Sequence, residues 1–456
     1  MSLKNVNYIN RIFQLGTGSR SQKAVKNIVL LLAFNLVNFV STILLVPLIL
    51  DYLGPVQYGV WLTISSVLTW FSFLDFGIGN GLRNKLSEAF AENATEKAKT
   101  FVSTAYVIFG AGIIIVVILF FCVYGLINWL KIFNAPAALK SELNLLVAIV
   151  FFLFSLQLFL KLIYSINQAD QRPAVNGLIS ALSNVFSVLF LLVLYKTSKS
   201  NLVALGTGLS LVPVVVLILI SVILFTKFYK HISPRLKYVR IGRSRELIGL
   251  GLRFFVIQIA GLIVFATDNL IITQLFGPSD VTVYNIAYKL FYFVPIFFNI
   301  IITPFWSAYT EAFLKEDYEW IKNSVNRIMK IWVLLSLGVV VMVFLSGTIY
   351  QIWVGSGIFI PFELSIMMGL FAILSNWNNI FVYFINGTGK IKLQFYSSIV
   401  IALINIPLSI YFARSLHWGI TGVMAATCIC VAVGSVWAPI QYYKIINKKA
   451  YGIWVK

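Results

Sequence analysis

The sequence predicts an all-α polytopic membrane protein with twelve transmembrane helices in two related halves. Three observations predict it. The 456 residues are 60% hydrophobic and 11% charged, with a mean hydropathy of +0.91; soluble domains run at roughly 45–50% apolar and about 25% charged. Apolar runs of roughly 20 residues, enough to cross a hydrocarbon core of about 30 Å, recur along the whole chain. Finally, much of the stretch 54–90 is written twice. Lipid cannot satisfy exposed backbone polar groups and no alternating barrel pattern is present, so the spans are helices.

The repeat has four parts. Gly54-Pro55, an aromatic-rich run from Tyr58, and Ser87-Glu88-Ala89-Phe90 form the first copy. They return 223 residues later as Gly277-Pro278, a second aromatic-rich run, and Thr310-Glu311-Ala312-Phe313. Tyr164, Ile166 and Asn167 return as Tyr383, Ile385 and Asn386, and Ala181, Leu182 and Asn184 as Ala402, Leu403 and Asn405. Four echoes in one order read as two copies of one unit.

Spans are expected near 28–50, 58–81, 101–127, 143–165, 174–195 and 202–226. The second copy places them near 250–275, 281–307, 328–351, 362–385, 395–413 and 419–442. This divides the chain into an N-terminal lobe (1–226), a basic connector (227–249) and a C-terminal lobe with a basic tail (250–456). Cationic residues gather on one side: in 1–26, in 83–99, through the connector from Lys227 to Arg253, and in the tail at Lys444, Lys448 and Lys449. The positive-inside rule then puts both termini in the cytoplasm, with six spans per half entering in the same direction. Tryptophans 61, 129, 353 and 418 fall near outer boundaries and 306, 332, 437 and 454 near inner ones, as an aromatic belt. Trp70 and Trp377 fall at membrane depth, where they either pack against neighbouring helices or stack on a sugar. The polar stretches 83–99 and 311–327 are expected as short helices at the interface. Gly77 and Gly81 either let helices approach closely or act as a flexible joint.

Several function classes are excluded. The net charge of +20 follows from cytoplasmic loops rather than from one basic face of a soluble domain, so no nucleic-acid partner is expected. The first 27 residues lack the short apolar core and cleavage site of a signal peptide. Cys122, Cys428 and Cys430 lie inside apolar runs and form neither a disulfide framework nor a zinc site. His231 and His417 map to opposite sides of the membrane. Gly387-Thr388-Gly389-Lys390 lacks the spacing of a nucleotide-binding loop, so neither a catalytic set nor a cofactor is expected. Transport remains.

The informative residues are charges at membrane depth. Asp268 lies nine residues before Gly277, and Lys289 nine after Asp280. Both then sit about 12–14 Å below a tight turn on adjacent antiparallel helices. Two readings stand: a structural ion pair, or a transport site in which Lys289 meets an anionic substrate while Asp268 binds a cation or proton. Their first-half equivalents are Ser66 and Leu45, so the charges belong to one lobe only. Asp75, Arg83 and Arg253 map to the inner mouth, where they attract a phosphate-bearing headgroup or simply sit among lipid headgroups. Asn35, Asn38 and Gln258 are amides inside spans one and seven, able to hydrogen-bond across helices or to sugar hydroxyls.

The run Tyr52-Leu53-Gly54-Pro55-Val56-Gln57-Tyr58-Gly59-Val60-Trp61, followed by Asp75-Phe76-Gly77-Ile78-Gly79-Asn80-Gly81, resembles bacterial O-antigen and polysaccharide-unit flippases. These belong to the multidrug/oligosaccharidyl-lipid/polysaccharide exporter superfamily. The resemblance implies two pseudo-symmetric six-helix lobes around a central, cation-rich cavity in the bacterial cytoplasmic (inner) membrane. It implies alternating access and an undecaprenyl-diphosphate-linked oligosaccharide as cargo. Lys289, Arg83 and Arg253 are the cations onto which that cavity is carried over. Expected partners are the lipid-linked oligosaccharide, an H+ or Na+ coupling ion, membrane lipids, and a polysaccharide polymerase or glycosyltransferases. Two alternatives stay open: a cation-coupled multidrug exporter using Asp75 and Asp268, and a membrane-embedded accessory of polysaccharide synthesis.

Overall fold

The computed structural model describes residues 20–71, 78–170, 172–243, 267–303 and 305–455. Among them, ten helices are long and apolar enough to cross a membrane. The chain is an all-α polytopic membrane protein. The first apolar stretch, Val29–Leu68, has 40 residues, about 60 Å as one helix and twice a bilayer core. It holds the first expected span and the beginning of the second, whose residues 72–77 lie outside the described residues. They meet at Gly54, where the helix α1 (Arg20–Phe71) breaks with φ 74° and ψ 169°. The span expected at 250–275 lies outside the described residues except for its end, α8 (Asp268–Leu275).

The remaining first-half helices are α2 (Ile78–Ala91), α3 (Thr95–Tyr124), α4 (Lys140–Leu160), α5 (Leu162–Ala169), α6 (Pro173–Thr197) and α7 (Leu202–Ile223). The second half continues with α9 (Pro278–Ile302), α10 (Phe305–Leu314), α11 (Tyr318–Val354), α12 (Phe362–Thr388), α13 (Lys392–Ile410) and α14 (Gly419–Ile446).

Backbone geometry repeats at the offset that the sequence carries. Gly277 has φ 103° and ψ 171°, the same glycine-only region as Gly54. Each glycine is followed by a proline whose fixed φ suits the first helical position. Asn93 (φ 54°) and Glu316 (φ 57°) are a second pair in left-handed conformation, again 223 apart. They turn α2 into α3 and α10 into α11, which begin at Thr95 and Tyr318. Short helices do occupy the first part of each stretch, α2 with 14 residues and α10 with 10, but neither runs through the whole of 83–99 or 311–327. Each stretch is the latter part of that short helix, a left-handed turn and the first turns of a long helix. Leu82, Leu86 and Ala89 on α2, and Tyr309 and Ala312 on α10, are buried in packed cores rather than left for lipid.

Contacts group the described residues into two compact units. Residues 54–67, 132–135 and 267–455 form the second, and the others the first. In the first unit, the described part of the basic connector runs through three tight turns, Lys230–Ile232, Leu236–Tyr238 and Ile241–Arg243. It is tied to α3 where the Arg235 and Arg240 amides donate to the Ser103 and Thr104 hydroxyls, each at 3.0 Å. In the second unit, Trp377 donates its indole N–H to the Ser435 carbonyl at 3.0 Å and packs on Trp332 and Phe381. Its packing reading therefore holds.

Candidate functional site

The second unit contains a polar seam along residues 54–67. Gly59, Thr63 and Ser66 recur at spacings of four and three, so they share one helix face. All three are small, which lets another backbone come close. At Gly59 the approach is extreme: a β-carbon there would lie 1.7 Å from the Pro278 carbonyl oxygen. The neighbouring contact is its counterpart in the repeat, since Thr282 stands 223 residues after Gly59 and donates its hydroxyl to the Pro55 carbonyl at 2.7 Å. Deeper along the helix, Thr63 and Thr273 share a hydroxyl hydrogen bond at 2.6 Å. Asn285 donates to Asn269 at 2.7 Å, and Asn269 in turn to Ser66 at 2.5 Å. Residues 132–135 close the same region, with Asn134 donating to the Thr273 carbonyl and Gln274 to the Ile132 carbonyl.

Lys289 ends this seam. Its Nζ donates to the Tyr58 hydroxyl at 2.8 Å and lies 5.4 Å from the centroid of the Tyr58 ring. Tyr58 is 1% exposed, while Lys289 is half-buried. No carboxylate among the described residues forms an ion pair with this ammonium. The ion pair between Lys289 and Asp268, one of the two readings of these charges, is thus absent, although both belong to the second unit. Helix rotation explains it. Asp268 meets Tyr284, and Lys289 stands five residues further along α9, about 140° away around the helix axis. Equal depth did not mean equal azimuth. The helix α9 carries two stripes: Thr282, Asn285 and Lys289 on the seam, and Tyr284, Tyr288 and Tyr292 as a stacked ladder with ring centroids 6.4 and 4.8 Å apart.

Asp268 sits in a second cluster. It is 5% exposed and accepts the Tyr284 hydroxyl at 2.5 Å. The Tyr284 oxygen also lies 3.2 Å from the Met424 sulfur on α14. Thr427 of α14 faces the same carboxyl and accepts from Asn405 of α13 at 3.4 Å. Ser409, one turn on from Asn405, is buried too. No Lys or Arg among the described residues pairs with this carboxyl. A buried carboxyl among hydroxyl and amide oxygens is chemically suited to a proton or a small monovalent cation. Among the described residues no three His, Cys, Asp or Glu side chains group as ligands for a metal ion.

The other expected residues are dispersed. Arg83 is exposed on α2, and Asn35 is half-buried on α1. Asn38 accepts from Asn184 at 3.0 Å, so it ties α1 to α6 within the first unit. Asp75, Arg253 and Gln258 lie outside the described residues. Tyr58, Thr63, Asn269, Asn285 and Tyr284 were not anticipated. The sequence held a signal for part of this set, in the small-residue spacing of Gly59, Thr63 and Ser66.

A family model described as "Polysaccharide biosynthesis protein" matches residues 24–309, well over half of the chain and inclusive of both clusters up to α9. The chain belongs to this family. Over 406 residues it is 23% identical to a putative O-antigen transporter of Salmonella typhimurium, covering 88% of this chain and 92% of that protein. Among solved structures of this type of fold, the inward-facing conformation of a multidrug resistance MATE family transporter of the MOP superfamily superimposes with a TM-score of 0.75. That match has 14% identity over 93% of this chain and 100% of the other. The lipid II flippase MurJ, in an inward closed conformation, gives 0.64 at 18% identity, over 92% and 90%. At such identities the likeness establishes the fold.

Proposed function

We propose that this family member is a flippase of the bacterial cytoplasmic membrane. It moves an undecaprenyl-diphosphate-linked oligosaccharide repeat unit from the cytoplasmic to the outer leaflet. The observation that carries the reading is Lys289: a cation within an apolar helix whose partner is a neutral phenol. A charge at membrane depth without a counter-charge is costly, and such groups mark ligand paths. A diphosphate supplies the missing negative charge. The kinship with an O-antigen transporter supports a sugar-bearing lipid as the cargo.

The mechanism follows alternating access. Lobes 1–226 and 250–456, joined by the cytoplasmic connector 227–249, rock to expose the headgroup first inward, then outward. Both termini stay cytoplasmic. Arg83 and Arg253 collect the headgroup at the inner mouth, Asn35 and Gln258 meet sugar hydroxyls, and the polyprenyl tail remains in lipid. The membrane potential assists, because moving one charge through 100 mV is worth about 2.3 kcal/mol, and a dianion leaving a negative interior gains roughly twice that. Asp268, with Asp75 at the inner end of its span, serves H+ or Na+ coupling that resets the empty carrier.

Deleting the chain from its host tests the cargo: undecaprenyl-diphosphate-linked repeat units should accumulate in the inner leaflet. The buried Asp268 equally suits a cation-coupled multidrug exporter. Raised sensitivity to cationic drugs with normal surface polysaccharide would favour that second reading. The Asp268→Asn variant should keep cargo binding and lose net turnover; unchanged turnover removes Asp268 from coupling.

A further inference from the structure

Lys289 donates to the Tyr58 hydroxyl at 2.8 Å, so a diphosphate that took the ammonium would take it from Tyr58. We propose that Tyr58 is a positioning residue that competes with the cargo for Lys289, so that diphosphate binding itself unfastens residues 54–67 from the rest of the second unit. This rests on the flippase reading given above.

The chemistry sets the direction of exchange. A phenol oxygen is a neutral acceptor. A phosphate oxyanion makes a charge-assisted hydrogen bond, roughly twice as strong. Lys289 is half-buried, and its ammonium donates to Tyr58. Turning toward an anion removes both the hydrogen bond and the cation–ring contact from Tyr58.

The rest of the seam is built to let go. Its other fastenings are neutral: Thr282 on the Pro55 carbonyl, Thr63 on Thr273, and Asn269 on Ser66. Groups of this kind exchange for water at small net cost, since each contributes only about 0.5–1.5 kcal/mol. Gly59 meets Pro278 with bare backbone and no interlocking side chain. Lys289–Tyr58 is the one charge-bearing link described in the seam. The repeat does not duplicate it, because the positions 223 residues from Tyr58 and Lys289 are Val281 and Ser66.

The test uses the full chain in detergent, with Cys122, Cys428 and Cys430 replaced by Ala and a reporter cysteine placed by Ser66→Cys. Farnesyl diphosphate is the probe, and alkylation rate the reading. With Tyr58 and Lys289 intact, saturating probe should raise alkylation about tenfold, the value of one charged fastening. Adding Tyr58→Phe, which keeps the ring and removes the accepting oxygen, should give fast alkylation without probe and several-fold tighter probe binding. Adding Lys289→Gln, which keeps a donor to Tyr58 without the charge, should leave alkylation slow and indifferent to probe. This arm decides the matter if Tyr58→Phe does not fold. Lys289-dependent binding with alkylation and affinity unchanged by Tyr58→Phe overturns the competition and leaves the cargo reading intact. Probe-driven alkylation that persists in Lys289→Gln also overturns the competition. Absence of any Lys289-dependent binding overturns both.

Discussion

Residues 54–66 and 277–289 are the same backbone written with different side chains. Both open on a glycine in the same forbidden region, with φ 74° and 103° and ψ 169° and 171°, and both run into a helix through a proline. Along those helices the copies diverge. Tyr58 answers to Val281, Gly59 to Thr282, and Ser66 to Lys289. The shared part makes a frame in which each copy meets the proline carbonyl of the other. The divergent part puts one cation and its one phenol partner at a single place in that frame. Duplication thus supplied the architecture, and departures from it supply the chemistry.

The comparison breaks most severely at Gly59. The Gly59→Val variant drives a side chain into the Pro278 carbonyl, where no flexible atom can give way. Its cost should reach or exceed the roughly 1–3 kcal/mol of ordinary overpacking, read as a lower melting temperature in detergent and loss of export. The opposite change, Thr282→Gly, leaves room and should be far milder. Next come the two turns. Gly54→Ala and Gly277→Ala should each cost about 1–3 kcal/mol through backbone strain alone, and by similar amounts. A large difference between them would show that the turns are not equivalent. Smallest is Thr282→Val, which removes one hydroxyl from the Pro55 carbonyl. A loss of about 1 kcal/mol is expected, with export retained.

The frame was legible in the sequence because it is local. A Gly-Pro pair needs no partner to declare a turn, and the 223-residue register carries through to Asn93 and Glu316, whose left-handed turns were not foreseen. The helices were legible because lipid leaves the backbone no other choice. The seam was not, because its partners are remote: Lys289 and Tyr58 are 231 residues apart. Depth could be counted from the turns, which puts Asp268, buried, and Lys289, half-buried, on the successive helices α8 and α9. Azimuth could not, because it depends on how α9 is rotated against α8 and α14. Tyr284 takes the side facing Asp268, and five further residues carry Lys289 round to the seam. The helical spacing of Gly59, Thr63 and Ser66 was visible but does not say which helix it receives.

Flipping of a fluorescent undecaprenyl-diphosphate-linked oligosaccharide in proteoliposomes tests the central claim most directly, comparing the native chain with Lys289→Ala at matched, folded protein density. If the ammonium meets the diphosphate, the rate should fall about a hundredfold or more, the usual cost of truncating one member of a buried charge pair. A rate within twofold of the native chain would contradict the account.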